Sequence, residues 1–488
     1  MRTNYNLNDR LGKGYFILNN NYNNNYQWKV YDNIFLTNGE NNSLKTQLIS
    51  LIRNSTTVVK LCSFIITDME IVDEIINKVK NSDVAIFILT QLDNSKLTNK
   101  IDLLTPQEEE IVINSNEINY HLSNIKRLRD SGVHLRAAKD VHAKFAIIDR
   151  AKGFIMSANF TSNSFSLNVE SGVITDKESS LDLDKLFDVI YLNGTSYKSF
   201  LNTKKGKKML VSEVRITLQA QDLPQQDKKL RFTYGKSHNH LFEEICEIID
   251  AANEFIFISS YSVVGLAKLP EFTDAISRAV LRGVKINIFC RAMNNRLDHL
   301  EGCRFLSKLG CLIYGDFYNH SKGIINEKKA MIFTANIDGN YGLKNGFEVA
   351  YVLNDNQRSE FLLFHQELIK NCLFNFTEEP LRKEFFEYIA FYEMKKSINS
   401  VSTENEIEII IKNNLKQYFI DFSNALMFIV IFRAQNSKKS FLISIDDNFF
   451  NIVMTKNKIT VLSKSRAIYN TEKYFLKFTN LNASLSYE

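Results

Sequence analysis

Residues 130–161 read DSGVHLRAAKDVHAKFAIIDRAKGFIMSANFT, and residues 308–338 read KLGCLIYGDFYNHSKGIINEKKAMIFTANID. In both stretches a helix-like segment ends at a glycine and a short strand-like segment follows. An H-x-K triplet, a hairpin-like run and an [ST]-A-N triplet then come in the same order. This shared order predicts that the chain contains two copies of one structural unit.

The segments before each stretch repeat as well. Helical and strand patterns alternate in both copies, which predicts α/β sandwiches with helices on both faces of a sheet. In the first copy we expect helices near 43–52, 69–79 and 120–130 and strands within 28–36, 57–66, 84–89 and 133–137. In the second copy we expect helices near 238–252, 272–281 and 297–309 and strands within 254–263, 284–289 and 311–314.

The repeat predicts the domain organisation. We expect an N-terminal extension over residues 1–40, a first half over 41–195, a linker over 196–230 and a second half over 231–372. Residues 373–488 carry short strand-like runs at Phe441–Ile445 and Ile459–Leu462. They predict a small α+β accessory domain at the C-terminus.

Each H-x-K triplet supplies an imidazole and an ammonium group. In an extended backbone, residues two apart face the same side, so His142 and Lys144 should share one face, as should His320 and Lys322. The later triplets present a hydroxyl and an amide in the same way. The two hairpins therefore predict a pocket for an anionic phosphoryl group, lined by His142, Lys144, Ser157, Asn159, His320, Lys322, Thr334 and Asn336.

In each copy, a carboxylate follows the H-x-K and [ST]-A-N triplets, at the same distance along the sequence from the histidine. Asn168 and Glu170 follow the first set, and Asn345 and Glu348 follow the second. His142 and Glu170 are as far apart in sequence as His320 and Glu348. A carboxylate at these positions could accept a hydrogen bond from an imidazole, which would fix its tautomer and raise its basicity.

With these motifs the sequence resembles the phospholipase D superfamily over about residues 42–372, and the N-x-E stretch after SANF is most similar to its nuclease-like members. H-x-K-x4-D followed by S-x-N is the pattern of that superfamily. Asp149 completes the first motif, whereas Glu327 stands where the second motif has Asp. Met156 and Phe333 also stand where many members have glycine.

The resemblance implies that two phospholipase D-like α-β-α sandwich halves form one active site about a pseudo-two-fold axis. It implies a covalent phosphohistidine intermediate, with His142 as the nucleophile and His320 as the acid and base. Lys144, Lys322, Asn159 and Asn336 would hold the phosphoryl oxygens. Asp149 and Glu327 would be structural partners away from the phosphate.

The composition and the N-terminal residues limit which cofactors and which cellular location we expect. The chain has 488 residues, a formal net charge of +5 and six cysteines, none in a C-x-x-C pair. We therefore expect no metal site and no cofactor, because the ligand spacings of metal motifs are missing. The N-terminal residues show no secretory signal, and no run of about 18 apolar residues is present, so we expect a cytoplasmic protein without a membrane span.

The sequence leaves three functions possible. The mild positive charge and the nuclease-like stretch favour a metal-independent nuclease acting on DNA or RNA. A phospholipid hydrolase or phosphatidyltransferase is the first alternative, and a non-catalytic nucleic-acid-binding subunit is the second. By family analogy alone, we expect a part in an antiviral or restriction system. Residues 373–488 carry no recognisable catalytic motif, so they could mediate self-association or docking on a motor ATPase or helicase, or they could cover a sheet edge of the second half.

Overall fold

The computed structural model describes residues 14–19, 28–38, 41–91, 115–137, 141–193, 197–202, 209–213, 223–224, 229–236, 238–294, 296–381, 384, 428–435, 438–445, 448–455, 458–463 and 483–487. The chain divides into two compact units. The larger unit is Asn21–Leu373, and the smaller unit combines Met1–Asn20, which contains strand β1 (Tyr15–Leu18), with Phe374–Glu488.

The first half of the larger unit is built on one mixed sheet. The hydrogen-bonded order is β11-β10-β6-β5-β4-β7-β8-β9-β2-β3. Its centre, β4-β5-β6, is parallel, and β7, β8, β9 and β2 continue from β4 as antiparallel neighbours. The strands are β2 (Phe35–Asn38), β3 (Asn41–Asn42), β4 (Val58–Cys62), β5 (Ala85–Thr90), β6 (His134–Ala137), β7 (Phe145–Ile148), β8 (Lys152–Met156), β9 (Glu170–Ile174), β10 (Tyr197–Asn202) and β11 (Met209–Glu213).

Helices cover this sheet on both faces, as the sequence predicted. They are α1 (Ser43–Arg53), α2 (Met69–Asn81), α3 (Ser115–Asp130), α4 (Ser162–Ser166) and α5 (Lys177–Asn193). Helices α1 to α3 bury their apolar stripes, for example Leu48, Ile75 and Ile125, in one core, whereas α5 buries Leu186 and Phe187 in another. An apolar residue at every third or fourth position turns one stripe of each helix toward the sheet.

The second half repeats this architecture strand by strand. Within the larger unit its order is β17-β16-β14-β18-β19-β21-β12-β13, which matches β6-β5-β4-β7-β8-β9-β2-β3. Its elements are β12 (Leu230–Tyr234), β13 (His238–Asn239), α6 (His240–Asp250), β14 (Phe255–Ser259), β15 (Val263–Val264), a 3₁₀ turn (Leu266–Lys268), α7 (Pro270–Leu281), β16 (Lys285–Arg291), α8 (Leu297–Lys308), β17 (Leu312–Asp316), β18 (Gly323–Asn326), β19 (Ala330–Phe333), β20 (Ile337–Asp338), β21 (Phe347–Val352) and α9 (Asp355–Lys370).

One buried apolar cluster joins the two halves. It contains Ile147 and Val173 from the first sheet, Ile325 and Val349 from the second, and side chains of α5 and α9. The apolar surface that each sheet would expose alone is removed from water here, which is the main force that holds the halves together. The predicted α/β fold with two pseudo-symmetric halves is thereby confirmed.

Two segments differ from the sequence-based organisation. The strand expected within residues 28–36 is β2, which begins at Phe35 rather than Trp28, and it pairs with β9 inside the first half although residues 1–40 were assigned to an extension. Strands β10 and β11 lie within the predicted linker. The β2–β3 hairpin corresponds to β12–β13, but the two hairpins share too few residues for the repeat to be read there. The predicted domain boundaries stay predictions.

The smaller unit contains two groups of paired strands. Strand β1 runs antiparallel to β22 (Phe374–Thr377). A separate five-stranded sheet contains both predicted strand-like runs, in β24 and β26, and any helices of the predicted α+β domain fall outside the described residues. Its strands are β23 (Phe428–Gln435), β24 (Lys438–Ile445), β25 (Asn448–Thr455), β26 (Lys458–Ser463) and β27 (Ala483–Tyr487).

Membrane-spanning helices were searched for in the part of the chain that the structure describes. None of the helices there is long and apolar enough to cross a bilayer.

Candidate active site

The two H-x-K triplets lie where the halves join. In the first half the backbone N–H groups of His142 and Ala143 donate to the Phe347 carbonyl, at 3.1 and 2.8 Å. In the second half His320 N–H donates to the Val169 carbonyl at 2.9 Å. Each triplet directly precedes the first hairpin strand of its own half, yet it is hydrogen-bonded to the residue that begins β21 or directly precedes β9 in the other half. This exchange brings the two motifs into one site.

Each imidazole is paired with a carboxylate of the opposite half. His142 Nδ1 lies 2.6 Å from Glu348 Oε1, and His320 Nδ1 lies 2.7 Å from Glu170 Oε1. The sequence identified both carboxylates but not this exchange, because equal spacing in two copies does not tell which copy supplies the partner. With Nδ1 engaged, Nε2 is the ring nitrogen that each histidine would present to a substrate.

Both carboxylates are fully buried and further hydrogen-bonded. Ser157 Oγ donates to Glu170 Oε2 at 2.5 Å, and Thr334 Oγ1 donates to Glu348. Burial alone would raise the pKa of each carboxyl, but the facing histidine and the lysines hold the pKa of Glu170 and of Glu348 below its usual range. The two hydroxyls therefore orient the carboxylates, whereas the sequence placed them among the groups that face the phosphoryl group.

The two motif lysines lie beside their histidines. Lys322 Nζ donates to the His320 carbonyl at 2.6 Å, and Lys144 Nζ lies 2.9 Å from His142 Nδ1 and donates to the His142 carbonyl. Both lysines are fully buried. Burial lowers the pKa of Lys322 to about 8, with Glu170 and Glu348 acting in the opposite direction, so this side chain is still mostly cationic at neutral pH. Buried cations of this kind suit an anionic ligand.

The two motif asparagines have an unused polar atom. The Oδ1 atoms of Asn159 and Asn336 are buried and have no hydrogen-bond partner in the structure. A buried polar atom without a partner costs free energy, so such atoms need an explanation. Each of these oxygens needs a hydrogen-bond donor. Because phosphoryl oxygens accept hydrogen bonds, the atoms of these amides that could hold a phosphoryl group are the Nδ2 donors.

The two imidazoles differ in exposure. The side chain of His142 is 23% exposed, whereas that of His320 is 6% exposed. Burial lowers the pKa of His320 to about 4, with Lys322 adding to the effect and Glu170 opposing it. His320 is therefore neutral at pH 7 in the free protein. A bound anionic phosphoryl group would raise this pKa again, because an opposite charge favours the protonated ring.

An aromatic ring packs against each imidazole, which the sequence reading missed. Phe64 lies edge-on to His142 with ring centroids 5.7 Å apart, and Tyr261 lies edge-on to His320 at 5.4 Å. Both aromatics come from the loops after the central strands β4 and β14. A common pattern, Ser followed by an aromatic residue after an apolar run, could have identified them in the repeat.

Asp149 and Glu327 lie at the far ends of β7 and β18 from the histidines. Asp149 accepts the backbone N–H groups of Thr56, Thr57 and Val58. Burial would raise the pKa of Asp149, but these hydrogen bonds hold it well below its usual range. Glu327 accepts the Asn253 N–H at 2.8 Å. Both side chains therefore bond backbone groups at the start of a neighbouring segment, and their structural role stays a prediction.

One buried cluster within the described residues consists of residue types that can ligate metals. The ligand atoms of Cys290, His299 and Cys303 lie within 4.8 Å of one another, a grouping that sequence spacing did not suggest. His299 Nδ1 already accepts the Val263 N–H at 3.0 Å, and Nε2 lies 2.9 Å from the Arg291 carbonyl. With both ring nitrogens engaged, the histidine has no lone pair directed at an ion.

Two comparisons with known sequences match parts of this chain. The family model described as "Cardiolipin synthase, PLD-like domain" matches residues 48–191. The chain is 22% identical to the virion nicking-joining enzyme of vaccinia virus (strain Western Reserve) over 338 residues, which covers 57% of this chain and 78% of the viral protein.

Solved structures show more distant likeness. Polyphosphate kinase of Porphyromonas gingivalis has a TM-score of 0.43 at 14% identity, and the match covers 68% of this chain and half of the kinase. Phosphatidylserine synthase of Haemophilus influenzae Rd KW20 has a TM-score of 0.48 at 13% identity, covering 76% and 91%. Nuc, a phospholipase D family member from Salmonella typhimurium, has a TM-score of 0.26 at 18% identity, covering 30% and 95%.

The matched family model covers the first H-x-K motif, and the second half repeats that motif on the same strand order. The paired motifs, their shared site and the matched model lead to one conclusion: residues 48–191 form a phospholipase D-like domain, and the second half repeats its motif and strand order.

Proposed function

We propose that this chain is a metal-independent phosphodiesterase that cleaves DNA or RNA through a covalent phosphohistidine. The observation that carries the proposal is the exchanged pairing of His142 with Glu348 and of His320 with Glu170. It gives one site two oriented imidazoles, and two buried lysines lie beside them. That set suffices for phosphoryl transfer without a metal, since it contains a nucleophile, an acid and charge stabilisation.

The proposed reaction has two displacements. The Nε2 atom of one neutral imidazole forms a bond to phosphorus while the bond from phosphorus to the leaving oxygen breaks. The other imidazole, protonated, gives its proton to that oxygen. It then takes a proton from water, whose oxygen attacks phosphorus and breaks the P–N bond. The lysines and asparagines would stabilise the charge that grows on the non-bridging oxygens.

The two histidines are not equivalent candidates for these roles. The family resemblance assigns attack to His142 and proton transfer to His320. Burial keeps His320 neutral in the free protein, so under this assignment it would acquire its proton only when the anionic substrate binds. Trapping the phosphorylated residue distinguishes this assignment from the reverse one.

A nucleic-acid substrate is supported by the viral relative and by charge. The vaccinia protein is named a nicking-joining enzyme, which describes breakage and rejoining of a strand. A phosphohistidine keeps the energy of the broken bond in covalent form, so either water or a hydroxyl could receive the phosphoryl group. The net charge of +5 is compatible with a polyanionic substrate.

A phospholipid substrate is the second candidate, and one observation favours it. The model that matches residues 48–191 is named for cardiolipin synthase. The same two displacements would then transfer a phosphatidyl group to water or to an alcohol. A non-catalytic nucleic-acid-binding role is the third candidate; it fits the residues least well because both histidines and both lysines are in place.

The test is incubation of the full chain with labelled DNA, RNA and phospholipid micelles in the presence of EDTA. We expect cleavage of nucleic acid that survives chelation, and quenching in SDS at alkaline pH, where the P–N bond is stable, should trap ³²P on one histidine. His142→Ala and His320→Ala should abolish the labelled band, whereas His134→Ala, an exposed histidine on β6, should keep it. Cleavage that needs added Mg²⁺, or turnover of lipid alone, would contradict the proposal.

We also propose that the C-terminal region docks the nuclease on a partner, such as another copy or a motor ATPase of a defence system. The proposal is motivated by the residues after β22, which contain no recognised catalytic motif. A chain truncated after Thr377 should keep its activity on naked nucleic acid but lose its activity in cells. If the truncated chain is unchanged in oligomeric state and in cells, the docking idea fails.

A further inference from the structure

Ser63 and Ser260 occupy the same position in the two halves, each directly after a central strand. Ser63 Oγ accepts the backbone N–H of Phe160 at 3.1 Å and donates to the Ile65 carbonyl at 2.8 Å. Ser260 Oγ accepts the backbone N–H of Ile337 at 3.0 Å and donates to the Ser262 carbonyl at 2.7 Å. Both hydroxyls are buried and use their donor and an acceptor on backbone groups.

The residues that these serines hold directly follow the site asparagines. Phe160 comes after Asn159, and Ile337 comes after Asn336. In the peptide group that follows, the Phe160 carbonyl accepts the N–H groups of Thr67 and Asp68 at 2.8 and 3.0 Å. In the second half β20 runs parallel to β15 with Ile337 opposite Val263. The backbone that carries each asparagine is thus fixed by the loop after the central strand.

A buried histidine fixes that loop in turn. His121 Nδ1 accepts the Ile66 N–H at 3.0 Å, and its Nε2 lies 3.1 Å from the Gln91 carbonyl. His299 makes the same two contacts in the second half, with Val263 N–H and the Arg291 carbonyl. His121 and His299 are as far apart in sequence as His142 and His320. Burial lowers the pKa of His121, which keeps the ring in the neutral form that can accept one hydrogen bond and donate the other.

The same loop reaches the catalytic candidates from a second direction. Phe64 follows Ser63 and packs on His142, whereas Tyr261 follows Ser260 and packs on His320. One loop in each half therefore contacts both the imidazole ring and the peptide next to the asparagine. A shift of this loop would move two groups that must face the same phosphoryl group.

From these contacts we infer a positioning role for two clamps, Ser63 with His121 and Ser260 with His299, which set the asparagine amides for phosphoryl transfer. The inference rests on the proposed function. The clamps touch no reacting atom, and they act through Asn159 and Asn336. Misplacement by about 1 Å can cost on the order of 100-fold in rate, so the loss of one hydroxyl has a measurable effect on turnover.

The experiment is a double-mutant cycle on hydrolysis of bis(p-nitrophenyl) phosphate by the full chain. We expect Ser63→Ala and Ser260→Ala each to lower kcat by about 10- to 100-fold with a change in KM below about 3-fold. In an Asn159→Ala background, Ser63→Ala should cost less than about 3-fold, because residues that act through one another are not additive. Ser359→Ala, which removes an exposed helix hydroxyl bonded to Asp355, should keep the wild-type kcat.

Three outcomes would overturn the inference: additive losses in the cycle, wild-type kcat in both serine variants, or a fall in kcat fully matched by loss of folded protein in thermal unfolding. If a serine variant fails to fold, Ser63→Thr, which restores a hydroxyl, should recover kcat; unrecovered activity in folded Ser63→Thr would also count against it.

Failure of the proposed function can be distinguished from failure of the clamps. If the wild-type chain cleaves the small diester but no nucleic acid, the substrate class is wrong and the cycle still tests the clamps. If it cleaves neither, binding of inorganic phosphate by calorimetry replaces turnover. Ser63→Ala and Asn159→Ala should then weaken phosphate binding by a similar factor without adding to one another, and additive effects would refute the clamps.

Discussion

The two halves contain the same motif on the same strands but give their histidines different surroundings. His142 is partly exposed and lies beside Phe64, whereas His320 is almost fully buried and lies beside Tyr261. The middle residue of the triplet differs too: Ser321 bonds Ser171 of the opposite half at 2.8 Å, and Ala143 has no side-chain polar group.

This difference shows how a duplicated scaffold can assign unequal roles. Two-step phosphoryl transfer needs one imidazole to attack while the other carries a proton. Environments that move the pKa values of two like groups apart are the usual means to separate such roles. Burial does this for His320, and the following predictions test how far the two halves differ in function.

The largest effect is expected from removing either imidazole. His142→Ala and His320→Ala should each lower the rate of diester cleavage by at least about 10³-fold, because the nucleophile and the acid cannot replace each other. Single-turnover rates of folded variants measure this. A variant that retains near wild-type rate would show that one half suffices and would refute the shared site.

The next largest loss of rate is expected when either carboxylate is replaced by an amide. Glu348→Gln should impair the step that His142 performs, and Glu170→Gln the step that His320 performs, each by about 10- to 100-fold. With nucleic acid both variants should slow formation of the phosphohistidine, because both imidazoles act in that step. With bis(p-nitrophenyl) phosphate, whose leaving group needs no proton, the variant that still slows formation identifies the half that attacks.

Double variants within each pair provide the control for this assignment. Glu348→Gln should add little to His142→Ala, and Glu170→Gln should add little to His320→Ala. If Glu170 couples to His142 instead, the exchanged pairing is wrong.

Acid should destabilise the protein through the buried second-half histidine. The pKa of His320 is lowered to about 4 in the folded state, so between about pH 6.5 and pH 4 the unfolded chain binds more protons there than the folded one. The free energy of unfolding therefore falls as pH falls through this window. For this site we expect a loss on the order of 1–3 kcal/mol.

Urea unfolding at pH 7.5 and pH 5 of the wild type and of His320→Gln measures this contribution. The variant should lose less stability on acidification than the wild type. An equal loss in both proteins would show that His320 is not the source.

The smallest effect on turnover is expected at the motif acids. Asp149→Asn should reduce the free energy of unfolding by about 1–3 kcal/mol, since the carboxylate accepts several N–H and O–H groups at the start of β4. Glu327→Gln should cost less, because Glu327 accepts two N–H groups, one of them at 3.5 Å. Rates per folded molecule should stay within about 3-fold. Fully folded but inactive Asp149→Asn protein would contradict this structural role.

Much of the fold and of the candidate site could be predicted from the sequence alone. Alternating apolar patterns and the repeated H-x-K and S/T-x-N triplets predicted two α/β halves, because periodicity reports which side of an element is buried. The same triplets identified His142, His320, Lys144, Lys322 and both asparagines. Glu170 and Glu348 followed from equal spacing in the two copies.

Only the tertiary structure decided which groups meet. The crossed His–Glu pairs arise because the beginning of β9 or β21 in each half is hydrogen-bonded at the triplet of the other half. Sequence spacing within one copy carries no information on contacts between copies. The same holds for Phe64, Tyr261 and the buried His121 and His299, whose partners are backbone groups distant in sequence. The sequence determined the chemistry available to the site, and the packing of the two halves determined its geometry and the unequal burial of its histidines.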